Sequence, residues 1–169
     1  MRQAMRTALV VVAAFQASTV ASVAMAQASG GTLDACSLLS PAEFKQITGR
    51  EDILKRGPQA AAPDEVPAGV SECEFLGFSV SLVDKVTHEG FETTRKQLAQ
   101  SGNKIQPVSG VGDEAYLYEG TGRAYRQLAI VMRVGERRLS FMDLVEPDSV
   151  EAVKPVLLKL GKAAAPKLR

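Results

Sequence analysis

Two nine-residue runs, RQLAIVMRV (126–134) and RRLSFMDLV (137–145), are separated only by Gly135 and Glu136. In the first run Leu128, Ile130, Met132 and Val134 recur at every second position, and in the second Leu139 and Phe141 do the same. Period two is the strand period, and a two-residue connection opened by glycine joins antiparallel neighbours. A chain holding such a hairpin must build an antiparallel sheet around it and cover at least one face.

The remaining pattern supplies the cover. Ser40-Pro41-Ala42-Glu43 has the form of a capping box, with proline at the first helical position, Leu39 and Phe44 as the staple pair, and Gly49 as the stop. Residues 89–102 (EGFETTRKQLAQSG) read as a second helix on Phe91, Leu98 and Thr94, ending at Gly102. A third opens at Asp148 with Glu151 as its capping partner and the stripe Val150, Val153, Leu157, Leu160 and Ala164. Pro155 lies inside it and predicts a kink or restart. Between the helices, CEFLGFSVSLV (73–83) alternates with a change of phase at Gly77, predicting a turn or bulge between two strand segments. EAYLYEG (114–120) is a further strand. RGPQAAAPDEVPAG (56–69) holds three prolines among small residues and predicts an irregular, mobile loop. The expected class is α+β: an antiparallel sheet of about five strands, order α-β-β-α-β-β-β-α, with helices packed on one face.

The first residues set the compartment. Arg2 and Arg6 precede an apolar run at 8–15, and Ala24-Met25-Ala26 supplies the small residues a signal peptidase requires. We expect residues 1–26 to be a signal peptide and 27–169 a single exported domain, periplasmic or secreted. Gln16, Ser18, Thr19 and Ser22 weaken the stretch as a membrane span, and no second run reaches the about 20 apolar residues that spanning takes. Two cysteines, Cys36 and Cys73, remain in an oxidising compartment, where thiols pair. A lipid on Cys36 would require it to follow the apolar run closely, yet QASGGTLD intervenes. A nucleophilic Cys36 would need a base, and the single histidine is His88. The expectation is a disulfide.

DACSLLSPAEFKQITG at the start, CEF at 73–75 and VSGVGDEAYLY at 108–118 together resemble a group of small secreted bacterial proteins and lipoproteins of unknown function, best known from actinobacteria. That group is similar in a C-x-LL-[ST]-x-x-E start and a G-x-G-D-x-A centre, over about residues 34–165. The resemblance implies a cell-envelope location, paired cysteines at Cys36 and Cys73, and a PsbP-like α/β sandwich. It implies no catalytic residues. The chain departs from many members in lacking a convincing lipidation box, which argues against anchoring.

Catalytic signatures are sparse. SGVGDEA (109–115) runs on into Tyr116-Leu117-Tyr118 as strand, so a phosphate loop opening a helix is not formed; Gly110, Gly112 and Asp113 read as backbone turn chemistry. HEGFE around His88 lacks the second histidine of a zinc-protease helix, and no GxSxG, GxxxxGK[ST] or CxxC occurs. We therefore expect a non-catalytic binding or interaction module of the envelope, with no cofactor, metal or catalytic residue. The alternative is an envelope hydrolase using acidic residues, which predicts two carboxylates converging in a pocket. Tyr116, Tyr118 and Tyr125 are candidate rim residues for a binding groove. Residues 27–119 carry 8 basic and 14 acidic side chains, whereas 120–169 carry 10 and 5. That asymmetry makes Arg133, Arg137, Arg138 and the lysines of the last helix candidates for an anionic envelope component, or for another envelope protein. Near-neutral charge, formally +1 for the whole chain, gives no general drive toward nucleic acid.

Overall fold

The expected hairpin is the centre of the molecule. In the computed structural model, which describes residues 33–62 and 64–169, β6 (Arg126–Val134) and β7 (Arg137–Val145) pair antiparallel from Val134↔Arg137 to Arg126↔Val145 around Gly135, whose φ is +59°. The proposed signal peptide and its cleavage position lie outside the described residues. Strand β3 (Phe78–Val83) adds to β7, and β2 (Val70–Phe75) to β3. On the other side β5 (Glu114–Glu119) adds to β6, and β4 (Lys104–Val108) to β5. A two-residue β1 (Gln59–Ala60) closes the order β1-β2-β3-β7-β6-β5-β4, antiparallel throughout.

Seven strands replace the expected five. Strand β1 is short and exposed, with no apolar alternation to announce it, and it arises inside the segment read as an irregular loop. Strand β4 holds Pro107, which removes a ladder donor, and its edge position is where a strand tolerates that. The phase change at Gly77 resolves as a two-residue turn, with φ +43° at Leu76 and +91° at Gly77. Phe75 and Phe78 are then direct partners, and both parities face one side.

Helix α1 (Pro41–Thr48) keeps its capping box: Ser40 Oγ accepts from the Glu43 amide, and Glu43 Oε2 accepts from the Ser40 amide at 2.8 Å. Phe44 stacks on Phe75 with centroids 4.5 Å apart and meets Phe78 edge-on at 5.3 Å. A four-residue helix α2 (Ile53–Arg56), not expected, follows and buries Ile53. Helix α3 (His88–Gln100) is capped by Thr87 Oγ1, which accepts from the Gly90 amide. The final helix α4 (Val150–Ala164) corrects two expectations. It runs unbroken across Pro155, and no capping box forms at Asp148. Asp148 lies instead in a 3-10 turn, Pro147–Ser149, and Glu151 accepts from Lys154.

The helices cover both faces rather than one. Leu128, Ile130, Met132, Leu139 and Phe141 lie in a core with Leu157 and Leu160 of α4 and Phe44 of α1. The opposite face carries a smaller cluster, Phe91 of α3 with Tyr116, Ala129 and Val131. Gly161 lets α4 approach the sheet, since a Cβ there would meet Met132 Cε and Val111 Cγ1 at 3.0 Å. The disulfide forms as expected, with Cα atoms of Cys36 and Cys73 5.2 Å apart. It fastens the 3-10 turn Ala35–Ser37 to β2, where Ser71 Oγ also donates to Asp34 Oδ1.

Candidate functional site

Strand pairing writes the surface on the α3 side as two rows. One runs Glu72, Ser81, Ser140, Val131, Tyr116 across β2, β3, β7, β6 and β5, each the Cα partner of the next. The neighbouring row runs Glu74, Ser79, Met142, Ala129, Tyr118. Helix α3 lies over the β4–β6 end, where Phe91 packs on Tyr116 and Leu98 is packed against the same cluster. It leaves the β2–β3–β7 part uncovered. On β3 and β7 three of the four floor side chains are serines, Ser79, Ser81 and Ser140 beside Met142, so the floor is hollow. On the far side Gln59, Ala60, Ala61 and Glu65 rise as a second wall. The result is a groove of about 600 Å³, within the range of roughly 300–1,000 Å³ typical of ligand sites.

The groove is chemically graded along the rows. Its β2 end presents Glu72 and Glu74, both exposed, with Glu65 on the adjoining wall. Among the described residues none of the three has a cationic partner. Serine hydroxyls occupy the middle, and Met142, Ala129, Val131 and Leu98 the far end. Leu144 continues the apolar end on the same face of β7 and is 60% exposed. Tyr118 closes the β5 end, its hydroxyl donating to Gln127 Oε1 at 3.3 Å.

Of the three tyrosines expected at a rim, only Tyr118 lines this groove. Tyr116 is 1% exposed beneath Phe91, a correction: strand parity points it under α3, and burial pushes its phenol pKa up. Tyr125 is 58% exposed in the connection between β5 and β6 and does not line the groove.

The basic residues do not share one face. Arg133 and Arg138 are Cα partners on the α3 side, whereas Arg137 points to the α4 side. Arg133 is held by Glu114, which also accepts from His88 Nδ1 at 2.7 Å. Arg137 donates to Asp84 Oδ1 at 3.2 Å and to the Leu168 carbonyl at 2.9 Å. Two of the three arginines are thus engaged within the chain.

Burial opposes ionisation of Glu114, but the hydrogen bonds from Arg133 and His88 outweigh it and hold the carboxyl below its ordinary range. Glu119 and Asp143 are buried on the α4 face. Both are Cα partners of Leu128, so two strand spacings, about 10 Å, part them. Lys104, Arg126 and Lys154 surround Glu119. Neither carboxylate lines the groove. Among the described residues no three His, Cys, Asp or Glu side chains cluster to hold a metal ion.

The SGVGDEA segment carries backbone geometry, with φ +74° at Gly110 and +62° at Gly112. Asp113 Oδ2 accepts from the Gly135 amide at 2.8 Å, an amide remote in sequence rather than a local one. A groove was expected, but its place on β2, β3 and β7 and its serine floor escaped sequence reasoning. Alternating Ser79 and Ser81 signal a polar strand face, but their meeting with Ser140 and Met142 depends on the β3–β7 pairing.

The class defined by these features is an antiparallel α+β sandwich with one half-covered sheet face. No protein-family model matches the chain, and no curated protein matches it in sequence. Among solved structures the chain is similar to cyanobacterial PsbP (CyanoP) from Synechocystis sp. PCC 6803, at 13% identity and a TM-score of 0.39, over 64% of this chain and 81% of that one.

Proposed function

We propose that this chain is an exported, non-catalytic binding module of the cell envelope whose ligand occupies the groove over β2, β3 and β7. One observation carries the reading: α3 covers only part of its sheet face, leaving a hollow of about 600 Å³ between two walls. A sheet face that needed only to be buried would carry large apolar side chains under a helix; this one carries Ser79, Ser81 and Ser140. Export is supported by the leader-type pattern at 1–26 and by the disulfide, a bond that persists in oxidising compartments. Among the described residues no helix is long and apolar enough to cross a membrane. The test is chemical-shift mapping of the isotope-labelled protein with fractions of envelope extract, alongside Ser81→Phe and Ser140→Leu, which fill the floor. Shifts clustered at 72–74, 79–81 and 140–142 and lost in both variants support the reading. Shifts elsewhere, or unchanged in the filled variants, contradict it.

A further inference from the structure

The groove has a direction, and the direction specifies a ligand. At the β2 end, Glu72 and Glu74 project from one face two residues apart, and Glu65 stands on the wall beside them, all three without a cation among the described residues. Some carboxylates elsewhere are neutralised, Glu119 by Lys104, Arg126 and Lys154, Glu114 by Arg133 and Asp84 by Arg137. Asp52, Glu89 and Glu136 are as unpaired as these three among the described residues; what sets the three apart is that they line one end of a groove. Three uncompensated carboxylates at the end of a groove attract a positive group and repel a negative one. The other end offers Met142, Val131, Ala129 and Leu98, extended by exposed Leu144, which reward an apolar group. A small polyvalent cation would use the first end and leave the second wet. A lipid-like anion would use the second and be repelled by the first.

Resting on the binding reading above, we infer that the groove takes a short extended peptide segment bearing a lysine or arginine over Glu72 and Glu74, crossing Met142, and placing an apolar side chain over Ala129 and Val131 of β6. From β2 to β6 is three strand spacings, about 14 Å, which an extended chain spans in about four residues at roughly 3.3 Å each. The basic and apolar side chains therefore stand about four positions apart. Ser79, Ser81 and Ser140 lie between them, with hydroxyls able to donate to or accept from peptide groups crossing the floor. The partner is thus a basic and apolar segment of another exported protein.

The test is titration of the labelled protein with the pentapeptide Lys-Ala-Ser-Ala-Leu, blocked at both ends, and with Glu-Ala-Ser-Ala-Leu, Gln-Ala-Ser-Ala-Leu and spermidine. The lysine peptide is expected to shift amides at 72–74, 79–81 and 140–142, and Glu72→Gln combined with Glu74→Gln to weaken it at least about fivefold at low salt. These are exposed positions, so the double variant keeps the fold, which its amide spectrum reports. Equal binding of the glutamate or glutamine peptide, or no loss in the double variant, overturns the cationic assignment while leaving the groove a binding site. Equal shifts from spermidine overturn the peptide and put a small polycation in its place. No shifts with any of these four probes overturns the peptide assignment; if the envelope-extract shifts are also absent, the binding reading falls with it.

Discussion

Gly112 shows how tightly single residues set the frame of this sheet. Its φ is +62°, and a Cβ there would stand 2.7 Å from the Arg133 carbonyl oxygen and 3.0 Å from Val134 Cγ2. Gly110 has a similar φ of +74° with nothing within 4 Å. Alanine at 110 meets only the backbone penalty, about 1 kcal/mol, whereas at 112 it must also displace strand β6, about 2–3 kcal/mol in all. Denaturant unfolding of the two variants checks the order; equal losses would mean that the close approach at 112 relaxes freely. Asp143 gives the pH-dependent counterpart. It is 7% exposed, and burial pushes its carboxyl pKa up despite the attraction of Arg50. A raised folded pKa means that Asp143 helps stability while protonated, and that this help is lost as pH rises through the folded value. At pH 7, well above the usual aspartate range, keeping this carboxyl buried is a cost, whether as a buried charge or as a retained proton. Asp143→Asn is therefore expected to melt higher than the parent at pH 7, the difference shrinking below the usual aspartate range near 3.8. A gain that is constant with pH would remove the carboxylate's charge as its cause.

At the scale of elements, what could be read from sequence is mostly what is local. The β6–β7 hairpin, the α1 capping box and the Gly77 turn follow from neighbouring residues, and the long-range Cys36–Cys73 bond could be read only because residues 27–169 hold just two cysteines. What could not be read depends on neighbours distant in the chain. Strand β1 has two exposed residues and exists because β2 offers it an edge. Strand β4 carries Pro107, which reads against strand until its edge position is known. The groove needs Ser79 and Ser81 of one hairpin beside Ser140 and Met142 of another, some sixty residues on. Tyr116 and Tyr118 share one face of β5, and only the placement of α3 roofs Tyr116 while leaving Tyr118 at the groove. Residues 64–69, inside the disulfide ring, are mostly exposed with few apolar side chains. Limited proteolysis is expected to cut there first, and the fragments to stay joined until reductant opens the bond between Cys36 and Cys73, which flank it. A first cut within 126–145 would contradict the placement of the core.

Across the whole molecule, the two sheet faces do different work. The α4 face is filled by Phe44, Phe75, Phe141, Leu157 and Leu160 and accounts for most of the core. The α3 face is filled only at the β4–β6 end and is hollow beyond it. Burial of apolar side chains accounts for the first face but not for the hollow of the second, where the proposed ligand would sit. The chain carries its own internal control for this distinction. Met132 and Met142 are the two methionines of residues 27–169. Met132 is 0% exposed against α4, while Met142 lies on the groove floor. A carbon-13 methyl spectrum of the methionine-labelled protein, recorded while the lysine pentapeptide or an active envelope fraction is added, therefore reports the two faces separately. The account predicts that the Met142 methyl moves, with cross-peaks to the ligand, while the Met132 methyl stays. Movement of Met132 alone, or of both equally, would contradict it.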